Sequence, residues 1–184
     1  RSFQISEEKL ETLIYTLLLF NSDKKVYLML PENTKEATDK AFALMCKLMR
    51  LLPKAIVRYT GFVTYVNQAE GGDFVPYRIR YMFLSNTEGN KRICRATEKA
   101  AVFCPGCKTG IQIPDAMREL VGLLKDSFLQ GTTNERIEDL WGALNKYLRK
   151  QIEEPLSTTE YCALDRYCRV YRTMSERKNE EKNS

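Results

Sequence analysis

The sequence predicts an α+β fold, with a single antiparallel or mixed sheet of about four strands and helices packed on one of its faces. Three observations lead to this prediction. Apolar residues recur at helical spacing near both ends of the chain and alternate with polar residues in the middle. Glycine and proline separate these segments, which gives the order α-β-α-β-β-β-α-α-α. The length of 184 residues suits one compact domain.

The first three elements are a helix, a short strand and a second helix. Residues 6–20 carry a leucine-rich stripe, and Ser6 at their start is a residue type that caps helices. Lys25–Leu30 is typical of a short strand. Asn33 followed by Glu36 resembles a capping box, which would open a second helix.

The middle of the chain predicts three strands. They are expected at 55–67, 75–84 and 92–103, where polar and apolar residues alternate. Turn-forming residues separate them at 70–73 and at 86–90. Because short connections join antiparallel neighbours, the pattern favours an antiparallel meander.

Three helices are expected after this meander, and they should begin near Pro114, Thr132 and Ser157. Gly131 stands where the first of them should end, and the last should run to about Thr173. We expect residues 1–174 to form a single domain and residues 175–184 to be a flexible polar tail.

The absence of histidine excludes several kinds of enzyme. A Ser-His-Asp triad, a Cys-His dyad and a histidine-ligated metal centre cannot be built from this sequence. No glycine-rich phosphate-binding motif occurs either. The acidic residues Glu135, Glu138 and Asp139 fall on the solvent face of a predicted helix. The sequence therefore favours a non-enzymatic protein.

The positive charge is concentrated in the predicted sheet. The chain carries 29 basic and 24 acidic residues, and residues 54–108 hold nine basic and four acidic ones. Such a sheet face could hold the backbone of RNA or of another anionic polymer, while Phe62 stacks on a base. The candidate basic residues are Arg58, Arg78, Arg80, Arg92 and Arg95. An ordinary solvated outer face would show the same charges.

The last predicted helix carries a second basic group, formed by Arg166, Arg169 and Arg172. Cations near a helix C-terminus are favoured by the helix dipole, and a phosphate- or membrane-facing edge is the functional alternative.

A different hypothesis is a self-associating structural protein, a homo-oligomer that acts at an anionic membrane surface or through protein partners. Small basic α+β proteins of this kind occur among viral matrix proteins, although the resemblance is limited to size, charge and order of elements and no shared motif carries it. Association would use the loop 71–76 or Lys25–Leu30 as an exposed edge strand.

The six cysteines allow a further hypothesis. Cys104 and Cys107 form a CxxC motif with Cys94 upstream, a spacing that suits a zinc knuckle. A complete site would also need Cys162 or Cys168, and a thioredoxin-like redox role fits the surrounding pattern poorly. Ordinary reduced thiols in a cytoplasmic protein without a cofactor remain the preferred interpretation.

Overall fold

The structure is a computed structural model that describes residues 5–19, 25–58, 60–67, 79–96, 100–103, 111–131, 134–149 and 156–182. Seven α-helices, one short 3-10 helix (Asp115–Met117) and four strands occur in this part of the chain. The helices are α1 (Glu7–Leu18), α2 (Lys35–Met49), α3 (Lys54–Val57), α4 (Glu88–Ala96), α5 (Arg118–Gln130), α6 (Asn134–Leu148) and α7 (Thr158–Lys182). The strands are β1 (Lys25–Met29), β2 (Gly61–Val66), β3 (Ile79–Leu84) and β4 (Ala100–Phe103). The mixture of helices and a small sheet confirms the predicted α+β class.

The sheet is parallel, so the predicted antiparallel or mixed arrangement is wrong. Its strand order is β2-β3-β1-β4, and all three neighbouring pairs run in the same direction. The connection from β2 to β3, residues 67–78, is about as long as a parallel crossover requires. The order also places β1 inside the sheet, so the prediction that Lys25–Leu30 is an edge strand is wrong.

Both faces of the two central strands are buried. Val26 and Leu28 of β1 belong to the main hydrophobic core, and their neighbours Tyr27 and Met29 are also buried although they face the other way. In β3 the same holds for Tyr81 and Phe83 on one side and for Met82 and Leu84 on the other. Uninterrupted apolar strands of this kind are typical of parallel sheets that are covered on two sides.

Five helices pack together against the sheet. Helices α1, α2, α5, α6 and α7 contribute residues to the main hydrophobic core, together with Val26 and Leu28 of β1 and Tyr81 and Phe83 of β3. Helix α4 lies between β3 and β4 in the chain and contacts β4.

Two segments in which polar and apolar residues alternate, and which were predicted to be strands, begin with a helix in the structure. The predicted strand 92–103 is the helix α4 followed by the short strand β4. Thr87 accepts a hydrogen bond from the backbone N–H of Asn90 at 3.2 Å, which caps the start of α4. The predicted strand 55–67 likewise begins with α3, and only its second half forms β2.

The predicted starts of α1 and α7 are confirmed by their caps. The Ser6 hydroxyl accepts from the Lys9 backbone N–H at 3.4 Å. Ser157 and Glu160 form the expected reciprocal capping box, with 2.8 Å from the Ser157 N–H to the Glu160 carboxylate. The chain leaves α5 through Gly131 in the left-handed conformation, φ 64°, as the glycine position predicted.

Other helix boundaries differ from the prediction. The cap of α2 is Thr34, while the Asn33 side chain instead accepts a hydrogen bond from the Asn86 backbone N–H at 2.8 Å. Helix α7 was expected to end near Thr173 but continues to Lys182. This last stretch contains neither glycine nor proline, so nothing in it interrupts helical hydrogen bonding.

Candidate binding surface

The structure does not gather the predicted basic residues on one strand face. Arg58 is exposed at the C-terminal end of α3, and Arg92 is exposed on α4. Arg95 also belongs to α4, and Arg80 lies in β3. Arg78 lies outside the described residues.

The candidate stacking residue, Phe62, packs against a neighbouring helix. It is half-buried in β2, and its ring centroid is 6.0 Å from that of Phe42 on α2. Phe42 is itself exposed. The ring of Phe62 is therefore partly covered by the contact between α2 and β2.

A different surface, on α6 and α7, gathers aromatic and aliphatic side chains, of which four are exposed and one, Tyr167, is half-buried and packs against the main core. It consists of Tyr147, Tyr167, Val170, Tyr171 and Met174, and we call it the tyrosine face. The ring centroids of Tyr147 and Tyr167 are 5.0 Å apart, and those of Tyr167 and Tyr171 are 6.5 Å apart with nearly parallel planes. Tyr147 is 48%, Val170 57%, Tyr171 38% and Met174 56% exposed. These values matter because side chains of this size are usually buried.

Helix α7 presents this face to solvent because another side of the helix, about a third of a turn away, packs against α5. Leu164 and Cys168 are buried in the main core, and Asp165 is 3% exposed. The Asp165 carboxylate accepts a hydrogen bond from the Glu119 backbone N–H at 2.8 Å, in the first turn of α5. It also accepts two bonds from the Arg169 guanidinium, at 3.0 and 3.2 Å. A carboxylate at a helix N-terminus is favoured by the helix dipole.

The basic group predicted on the last helix is largely neutralised. Arg169 pairs with Asp165, and Arg172 reaches Asp126 at 3.2 Å and Glu119 at 3.9 Å. Arg166 remains exposed, with its Nε donating to the Cys162 carbonyl at 3.3 Å. Residues 134–182 hold ten basic and ten acidic residues. The tyrosine face therefore lies in a region without net charge, unlike the strongly basic middle of the chain.

The cysteines within the described part of the chain do not form a metal centre. Cys46, Cys162 and Cys168 carry free thiols, and no cluster of three metal-ligating side chains occurs among the described residues. Burial raises the pKa of Cys168 to about 12, with smaller contributions from the charges of Asp165 and Glu119. Its thiol is a poor metal ligand or nucleophile, since both roles need the thiolate.

The CxxC motif itself is not tested by these observations. Cys104 and Cys107 lie outside the described residues, and Cys94 belongs to α4. The zinc knuckle therefore stays a prediction. Native mass spectrometry would check it, since about one zinc per chain should be lost in Cys104→Ser.

Comparison with known proteins does not add a family or a neighbour. No protein family model, no curated protein and no solved structure matches the chain. In the part of the chain that the structure describes, no helix combines the length and apolar character needed to cross a membrane. The tyrosine face and the charge distribution are therefore the features that bear on the function.

The sequence contains a pattern of apolar residues that indicates the tyrosine face, and the prediction from the distribution of charge did not include it. Leu164, Tyr167, Cys168, Val170 and Tyr171 occupy more than one side of a helix, with Met174 extending the pattern. An ordinary surface helix buries a single apolar stripe. A second stripe, rotated by roughly a third of a turn from the first, indicates an apolar surface that the fold itself leaves uncovered.

Proposed function

We propose that this chain is a non-enzymatic protein-binding module whose tyrosine face contacts a protein surface. The observation that carries the proposal is the clustering of large, exposed hydrophobic side chains on two adjacent helices. Tyrosine and methionine are enriched in protein interfaces, and tyrosine often contributes a large share of their binding energy.

The charge balance favours a protein over a nucleic acid as the partner of this face. A nucleic-acid site would need basic side chains that are free to neutralise phosphates. Two of the three arginines of this group on α7, Arg169 and Arg172, are already paired with carboxylates, and Arg166 is exposed. The exposed rings of Tyr147 and Tyr171 offer apolar area with hydroxyl groups, which suits a partly apolar protein surface.

Site-specific photo-crosslinking in cells tests this proposal. A benzophenone amino acid in place of Tyr171 should give adducts with protein. The matched control is the same replacement at Leu129, which is 51% exposed on α5 and lies outside the tyrosine face. Protein adducts that form at position 171 and not at 129 support the proposal. Nucleic-acid adducts, or equal protein adducts at both positions, contradict it.

The charge concentration in residues 54–108 favours RNA or another anionic polymer as a second candidate partner. Arg58 and Arg92 are exposed within this region, and they would contact the polymer from helical segments. Fluorescence anisotropy with single-stranded RNA at about 50 and 200 mM salt checks this. Salt-sensitive binding should be weakened in Arg58→Ala/Arg92→Ala and lost in Arg78→Ala/Arg80→Ala. Arg166→Ala is the control, and absence of binding at low salt would exclude this candidate.

A further inference from the structure

We draw no further inference here: the strongest candidate, the exposed apolar patch that the tyrosine face forms on α6 and α7, already carries the proposed function, and nothing in the structure shows what covers it.

Discussion

The inner side and the outer side of helix α7 differ in which kinds of side chain they bury and which they expose. The inner side, which faces α5, combines the buried residues Leu164 and Cys168 with Asp165 and its hydrogen bonds. The tyrosine face, on the outer side, holds large apolar side chains that contact solvent. The comparison teaches that polarity alone does not tell which side of a helix is buried. A carboxylate with satisfied hydrogen bonds can be buried, and an apolar stripe can stay exposed.

This difference predicts that the stability of the fold depends on the inner side. Leu164 is fully buried, so Leu164→Ala should lower the free energy of unfolding by about 2 to 4 kcal/mol. Val170→Ala, on the tyrosine face, should change it by no more than about 0.5 kcal/mol when measured on the monomer at low concentration. Urea unfolding monitored by Trp141 fluorescence checks both. Equal losses from the two variants would show that the outer side is also part of the core.

The buried carboxylate should be the next most sensitive group on the inner side. Asp165→Ala leaves the Glu119 N–H without its acceptor and should cost about 1 to 3 kcal/mol in the free energy of unfolding. Asp139, exposed on α6, is the control, and Asp139→Ala should be nearly neutral. The prediction is wrong if the two substitutions have the same effect.

The thiol of Cys168 adds a pH dependence to the inner side. Burial raises its pKa to about 12 from the ordinary value of 9.0, so the folded protein keeps this proton when the unfolded chain has released it. Its contribution to stability is therefore fully present below pH 9 and is lost as the pH rises toward 12. Between pH 8 and 10 the loss should be about 1 kcal/mol.

Comparison with a variant isolates this single group. The slope of unfolding free energy against pH should be shallower in Cys168→Ala than in the wild type. Leu164→Ala, which alters a buried residue without a titratable group on the same helix, should retain the wild-type slope. Equal slopes in all three proteins would contradict the assignment to Cys168.

The smallest expected effects concern two helical glycines, one that lies near α7 and one that does not. A Cβ at Gly142 on α6 would meet no atom within 4 Å, so Gly142→Ala should raise the free energy of unfolding by about 0.5 to 1 kcal/mol. A Cβ at Gly122 on α5 would lie 3.5 Å from the Arg172 guanidinium. Gly122→Ala should raise the free energy of unfolding by a smaller amount, because this contact restricts an arginine that pairs with Asp126. Thermal unfolding of the two variants measures these changes. A larger increase in stability for Gly122→Ala than for Gly142→Ala would contradict this prediction.

The sheet shows why the direction of the strands was misjudged. Tyr27–Leu30 and Tyr81–Leu84 are continuous apolar runs, and both faces of these strands are buried. Runs of this kind indicate a parallel sheet, whereas the alternation of arginine with apolar residues at 77–80 suggested an antiparallel one. Alternation describes a single strand and carries no information about the direction of its neighbour. The placement of α4 between β3 and β4 was missed for the related reason that Thr87 was interpreted as part of a turn.

The candidate binding surface could be predicted only in part. The basic composition of residues 54–108 is a property of the sequence, but the structure places Arg58 and Arg92 on separate helices. The tyrosines of α7 were visible as a second apolar stripe, yet their exposure depends on which side of α7 packs against α5. That choice is made by contacts such as the one between Asp165 and the Glu119 N–H, which join residues 46 positions apart.

The sequence by itself determined the features that depend on neighbouring residues. The starts of α1 and α7, the left-handed end of α5 and the helical character of the C-terminal half follow from hydrogen bonds and side-chain spacing within a few residues. Only the tertiary structure decided the strand order, the direction of pairing and the exposure of the tyrosine face. These features arise from contacts between distant segments, and several such arrangements are compatible with the same local pattern.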